Sequence, residues 1–422
     1  MSPPWTIPPP IPQDLFREIR LRMIFDHCKW DSQYEDIETM ARCCLVLDEA
    51  SWEDLRRQAE QLWTEALAAE DEILDRPDLC KELGLGRRLR QACTRTAGRV
   101  PSQGMARVMR FDFHFTPEGW RISEANADVP GGFIEASAFA ELVCRCYAEA
   151  VCAPDAATQY ARAVAAALGR GSRIALVHAT AYTDDRQVML FLAEKLAAAG
   201  LEPVPASPTD LLWVDGRAEM ADDAGRLDGI VRFFPAEWLP NIPRRHTWER
   251  FFHGGLTPQS NPGYALGVQS KRFPLTWDRL KAKLPTWRAL LPETRDPRAA
   301  AGANGDEWVL KPALGRVGEG IGMRGVTPDQ QWRQIAKSAL RYPQYWVAQK
   351  RFGAIAAEAE GENLYPCLGV FVIDGKACGI YGRASSVPLI DSRAQDIPIL
   401  IRRGRKDTAG DAPAATPGEQ GR

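Results

Sequence analysis

Apolar and polar positions alternate over residues 108–115 and again over 120–125, with turn residues at 116–119 between them. That pattern predicts two antiparallel strands joined by a tight loop. With the loop centred near Glu118, Asp112 falls opposite Glu124 and Arg110 opposite Asn126. The four polar side chains then leave one face, because alternate residues of a strand share a side. The other face takes Phe111, Phe113, Ile122 and Ala125, which suit a core.

Elsewhere the period changes. Residues 14–98 repeat apolar positions at three and four with charges between them, which predicts a helical layer with a helix start at Ser51, ahead of Glu53 and Asp54. Gly131-Gly132 interrupts, and 133–150 reads as an amphipathic helix. The run 172–179, SRIALVHA, has the continuous apolar character of a buried parallel strand, and the helix expected over 186–199 stops at Gly200. Residues 228–234, 308–311 and 344–352 predict further strands, and 368–383 predicts two strands around Asp374-Gly375. Residues 241–265 read as an irregular connection. A helical segment opens at Lys271, limited in its early regularity by Pro274. From 404 onward apolar periodicity is missing, which predicts disorder. Strand, helix and strand in succession give an α/β layer.

Composition narrows the function. A chain of 422 residues can fill two or three packed subdomains. Its 53 basic and 55 acidic residues leave no charge excess to attract nucleic acid or membrane. Long apolar runs are lacking and residues 1–13 do not have the regions of an export signal, so a cytoplasmic protein is expected. The ten cysteines show no two-residue spacing of a zinc knuckle or redox pair, and read as reduced, mostly buried thiols. The five histidines are dispersed, which argues against a histidine metal site.

Three stretches carry candidate chemistry. Carboxylates set directly across a hairpin repel, so Asp112 and Glu124 make best sense with a cation between them. Two carboxylates and the amide of Asn126 are hard ligands suited to magnesium, and Arg110 beside them can hold an anion bridging to it. The same pattern also fits an exposed hairpin with a salt-bridged polar face. In WVLKPALGRVGEGIGMRGV, residues 308–326, Gly315 and Gly318 let backbone amides approach a ligand, and Lys311 and Arg316 add the charge a polyphosphate needs. The spacing is neither a Rossmann fingerprint nor a P-loop, and a plain hairpin turn is the alternative. Thr183-Asp184-Asp185 reads either as a helix cap with first-turn acids or, at the mouth of a parallel sheet, as a site for a cationic substrate. Arg383 closes the last strand pair, either in the cleft or as a surface charge on an edge strand.

In this order, RFDFHFTPEGWRISEANADVP, TDDR with its helix, VRFFPAEW, SKR, WVLKPALGRVGEG and YPCLGVFVIDGKACGIYGR resemble the synthetase domain of the glutathionylspermidine synthase family, a branch of the ATP-grasp carboxylate–amine ligases. The resemblance covers roughly residues 15–400. It implies an α/β (α+β) chain with an ATP-grasp fold: an N-terminal helical region to residue 100, a pre-ATP-grasp α/β part over 101–260 that carries the hairpin, a nucleotide-clamping part over 261–403, and a disordered tail. It also implies ATP and Mg2+ as cofactors. Arg110 and Arg383 take catalytic places near the transferred phosphoryl group, and Asp112, Glu124 and Asn126 hold the metal. Lys271 and Lys311 touch the phosphates of ATP, Arg316 matches the arginine of the nucleotide-binding loop with Gly315 and Gly318, and Gln349 lies beside the adenine. Asp184 and Asp185 meet the amine substrate.

Departures from the family pattern fall around the substrate: Ala125 and Val129 stand where Tyr and Thr are common, and Glu319-Gly320 follows the loop. The partners implied are small-molecule or peptide carboxylates and amines, with neither nucleic acid nor membrane, and a homodimer is compatible with the resemblance. The implied reaction joins acid to amine through an acyl phosphate. A non-catalytic nucleotide-binding protein and a small-molecule kinase are the rival readings.

Overall fold

The computed structural model describes residues 3–34, 36–94, 105–222, 225–253, 255–300, 305–316 and 318–403; the tail expected from 404 onward lies outside them. The architecture is mixed α/β, organised on a central sheet that contains the hairpin.

The strands Val108–Thr116 and Gly119–Asn126 pair with Asp112 opposite Glu124 and Arg110 opposite Asn126, the register read from the sequence. Phe113 then pairs with Ile122 where Asp112 pairs with Glu124, so Ser123 is an extra, bulged residue. The bulge explains how Ile122 and Ala125, of opposite parity, both reach the core beneath Phe113 and Phe111. Val108–Thr116 also pairs with Glu362–Ile373, which turns through Asp374-Gly375 into Lys376–Ser385 and on to Gln395–Asp396. Both turn residues have positive φ, 45° and 81°, as a two-residue hairpin loop requires.

The apolar face of this sheet is covered by the helix Glu49–Leu74, whose Leu55, Ala59, Leu62 and Ala66 are fully buried in the same core as Phe111, Phe113 and Val370. That helix begins two residues before Ser51. Asp48 caps it, accepting from the backbone N–H of Ser51 at 2.7 Å, because its carboxylate reaches the unpaired first-turn amides.

One expectation of helix fails in the N-terminal region, and the helix expected over 133–150 is present but shorter. Leu45–Leu47 is a strand, with Trp5–Thr6 on one side and Ile399–Arg402, parallel, on the other. The run Cys43-Cys44-Leu45-Val46-Leu47 has no polar side, which suits a strand buried on both faces better than an amphipathic helix. Over 133–150 the helix is confined to a π-turn at Glu135–Phe139 and the α-helix Ala140–Cys144, after which Ala150–Cys152 joins the same sheet beside Ile399–Arg402.

The α/β layer is a parallel sheet in the order Gln259–Ser260, Gly229–Arg232, Arg173–Val177, Glu202–Ala206. Its helix runs Thr183–Ala198, starting three residues earlier than the pattern predicts, and Tyr182 at the cap position makes no side-chain cap bond, so Thr183 is not the cap. A further, antiparallel sheet sets Trp308–Pro312 between Trp346–Lys350 and Gly322–Met323, so the glycine loop does join two paired strands. The segment after Lys271 never becomes α-helical and remains a 3-10 helix, Phe273–Arg279, with Pro274 in its first turn. Six of the ten free cysteines are buried. Among the described residues no helix is long and apolar enough to cross a membrane.

Candidate active site

The polar face of the hairpin is charged and largely buried. Arg110 grips Asp112 with two parallel bonds, Nε to Oδ1 at 2.7 Å and Nη2 to Oδ2 at 2.9 Å, and donates from Nη1 to the carbonyl of Gly131 at 2.6 Å. Fork-to-fork pairing of this kind fixes both groups in one plane. Gly369 makes the room: a Cβ there would stand 2.7 Å from Arg110 Cδ and 3.0 Å from Asp112 Oδ1. Asn126 donates from Nδ2 to Asp112 Oδ2 at 3.1 Å.

Glu124 meets Lys271, whose Nζ lies 2.8 Å from Oε2. Burial pushes the Glu124 carboxyl up, but the charges of Lys271, Lys311 and Arg110 more than offset this and hold it at about 2. Lys271 also donates to the carbonyl of Gly315 at 2.8 Å, tying the glycine loop to the hairpin. Lys311 donates to Gln349 Oε1 at 2.6 Å and to the carbonyl of Ser123 at 3.2 Å. The acceptor is thus the residue the bulge displaces from the ladder. Burial, reinforced by Lys271, lowers the Lys311 ammonium to about 8. His114 is pushed down to about 4 by burial and by Lys311, and is a neutral ring bonded to Ser123 Oγ at 3.1 Å.

The structure therefore gathers Arg110, Asp112, Glu124, Asn126, Lys271, Lys311, Gly315 and Gln349 about one hairpin, in three bonded groups: Arg110, Asp112 and Asn126; Glu124, Lys271 and Gly315; Lys311 and Gln349, the last touching the hairpin at the Ser123 carbonyl through Lys311. Arg383 lies on the same sheet, in register with Cys367 and Asp396, so its strand is not an edge. Its Nη2 donates to the carbonyls of Asp391 at 2.8 Å and Ala394 at 2.9 Å, and the side chain is mostly buried, which removes the surface-charge alternative. Gly318 has φ +72° and packs against the 390–391 backbone, where a Cβ would meet the carbonyl of Ile390 at 2.3 Å.

Arg316 lies apart from the lysines, with its guanidinium 5.2 Å from the centre of the Trp238 ring. The two acids of the helix start also part company. Asp184 is exposed, whereas Asp185 is only 3% exposed and its Oδ2 has no hydrogen-bond partner among the described residues. Burial pushes Asp185 up to about 6 against the pull of Arg316. Glu237, which the sequence reading passes over, is its counterpart. Burial and the neighbouring Asp128 raise it to about 7, again against Arg316, and its Oε2 is likewise without a partner among the described residues. Both acids follow the carboxyl ends of adjacent parallel strands, Arg173–Val177 and Gly229–Arg232. That position, the usual place for ligands in such a sheet, is the signal that would have found Glu237.

Asp128 is a second omission. Fully buried, it pairs with Arg232 and accepts from the backbone N–H of Ala236 at 2.8 Å, while Asn261 Nδ2 donates to the carbonyls of Val108, Ala127 and Asp128 at 2.7 to 3.1 Å. These contacts clamp the hairpin exit onto the parallel sheet.

The family model described as glutathionylspermidine synthase preATP-grasp matches residues 24–402. The chain belongs to that family. Every residue of these bonded groups falls inside the match. A crystal structure of a putative gamma-glutamylcysteine synthetase from Methylobacillus flagellatus KT aligns with 77% of this chain and 88% of its own, at 14% identity and a TM-score of 0.45. A likeness at that level leaves the chemistry to be argued from side chains. No curated protein matches the chain.

As a donor set for magnesium, Asp112, Glu124 and Asn126 fit: all are hard oxygen ligands on adjoining strand positions. Their carboxylates are paired here with Arg110 and Lys271.

Proposed function

We propose that the protein is an ATP-dependent carboxylate–amine ligase, joining a small-molecule or peptide acid to a cationic amine. The observation that carries this is Lys271, which bonds Glu124 of the hairpin and Gly315 of the glycine loop at once. A triphosphate lying under that loop would meet Lys271 and Lys311 at its phosphates and Gln349 at the far end of the lysine pair.

A carboxylate is a poor acyl donor because its leaving group would be oxide. In the first step a substrate carboxylate oxygen attacks the γ-phosphorus, the bond to the bridging oxygen breaks, and ADP leaves. In the second the amine nitrogen attacks the acyl carbon, the bond to the phosphate oxygen breaks, and amide, phosphate and one proton result. Arg110, Arg383 and Lys311 stabilise charge on the transferring group. Magnesium held by Asp112, Glu124 and Asn126 would supply further neutralisation between phosphate oxygens. Asp185 and Glu237, each with an unpartnered buried oxygen, receive the ammonium of the amine substrate.

The test is a screen of ATP consumption with magnesium across pairs of carboxylates and amines, with products read by mass spectrometry. Glutathione with polyamines is the first pair to try, given the family. A new amide together with ADP supports the ligase. A stable phosphorylated product would make it a kinase, and nucleotide binding with no turnover on any pair a non-catalytic binder.

A further inference from the structure

Lys29 has no place in the mechanism above, yet it is one of the most thoroughly buried side chains in the molecule, 2% exposed. Its ammonium meets three carboxylates from separate parts of the chain: Asp31 at 2.9 Å, Glu135 at 2.5 Å and Asp396 at 2.8 Å. Taking such a cluster out of water is expensive, and apolar residues of similar volume generally hold a fold as well or better. A buried lysine with an excess of acids therefore asks for a reason beyond packing.

The reason lies on the far side of Asp396. Its Oδ2 faces Lys29, while its Oδ1 accepts a hydrogen bond from the hydroxyl of Tyr381 at 2.7 Å and lies 3.9 Å from Arg383 Nε. The Tyr381 ring stands 5.0 Å from the Arg110 guanidinium. Gly132, with φ +92°, lets the backbone approach the ring closely: a Cβ there would be 2.8 Å from the ring carbons. Beyond their own bonds, both arginines of the candidate site thus face one carboxylate, Arg383 across 3.9 Å from an Nε that has no hydrogen-bond partner among the described residues, and Arg110 through the tyrosine face.

We propose that Lys29, Asp396 and Tyr381 form a positioning relay that sets Arg110 and Arg383 for phosphoryl transfer. Lys29 fixes one oxygen of Asp396 so that the other points outward to Tyr381 and Arg383. Without the ammonium, Asp396 lies beside Glu135 and Asp31 with nothing to balance them. It then turns away or takes up a proton, and the tyrosine loses its anchor; Arg110 keeps its fork with Asp112 and Arg383 its two carbonyls, but each loses the contact that trims its final orientation. None of the three touches substrate. The role assigned to the arginines rests on the ligase reading, whereas the relay geometry does not.

The experiment uses the full chain with Tyr381→Phe and Lys29→Ala, read in two ways. By turnover, Tyr381→Phe keeps the ring and removes only the hydroxyl; kcat falls about tenfold to a hundredfold, the range for supporting residues around a reactive centre, while KM for ATP changes little. Lys29→Ala falls at least as far and is partly restored by n-propylammonium, which fits the vacated space, and not by tetramethylammonium, which does not. Independently of turnover, the Arg110 Nε–H resonance, assigned in arginine-labelled protein through its loss in Arg110→Lys, broadens or vanishes in Tyr381→Phe. A folded Tyr381→Phe with wild-type kcat and an unchanged Arg110 resonance overturns the relay, also if Lys29→Ala does not fold. If the wild type forms no amide on any pair but the resonance collapses in Tyr381→Phe, the ligase reading fails and the relay stands.

Discussion

Lys271 places its ammonium 2.8 Å from the carboxylate of Glu124. With its second bond to Gly315, it holds the loop and the hairpin at a fixed separation. Lys271→Ala should raise KM for ATP and lower kcat on the order of a hundredfold, measured by steady-state ADP release with circular dichroism to confirm the fold. A variant with wild-type kinetics would show that the loop needs no anchor.

Lys311, lowered to about 8 by burial and by Lys271, is largely neutral above that pH in the free protein. A bound triphosphate favours the ammonium, so nucleotide binding at pH 8.5 should take up about one proton. Binding at pH 6.5 should take up none at this residue, because it is already charged. Calorimetry in two buffers of different ionisation enthalpy reads the difference, and Lys311→Met should abolish it.

Asp185 and Glu237 predict a pH dependence of opposite origin. Burial raises them to about 6 and about 7, so they become protonated as pH falls through that range and stop attracting a cation. KM for the amine should therefore rise as pH falls from 8 to 6, with KM for ATP nearly level. Asp185→Asn should raise KM for the amine about tenfold or more at pH 8, in line with losing a charged hydrogen-bond partner. An amine KM indifferent to both would place the amine elsewhere.

Gly369→Ala adds a single methyl 2.7 Å from Arg110 Cδ. The Arg110–Asp112 fork must shift, so turnover should fall on the order of a hundredfold with little change in thermal midpoint. Equal activity in the variant would mean that the fork tolerates displacement.

Asp128 and Arg232 are both fully buried. Asp128→Ala leaves the guanidinium without its carboxylate and should cost about 3–5 kcal/mol of stability, the usual penalty for breaking a buried pair. Urea unfolding followed by tryptophan fluorescence measures this, and a loss under about 1 kcal/mol would show that the carbonyls around Arg232 suffice.

What could be read in the chain beforehand follows from which signals are local. The hairpin register was legible because period-two alternation and a two-residue turn fix pairing together, and the four polar residues do share a face. The helical reading of 14–98 overreached at Leu45–Leu47, since an apolar run without a polar side has no period to separate strand from helix. Glu237 and Lys29 were missed for a different reason. Each matters through partners remote in sequence, Asp128 and Arg316 for one, Glu135 and Asp396 for the other. A lone acid or lysine carries no spacing to betray that.

The pairing of Val108–Thr116 with Glu362–Ile373 bears on how the protein is made. During synthesis the ribosome releases the hairpin long before the strand that must lie against it, and Gly369, which shapes the Arg110 pocket, emerges only with that strand. A nascent chain halted anywhere in between carries the hairpin's charged residues without the neighbours that shelter them. The shelter of that charged face is thus completed only when Glu362–Ile373 has been made, whatever has folded before it.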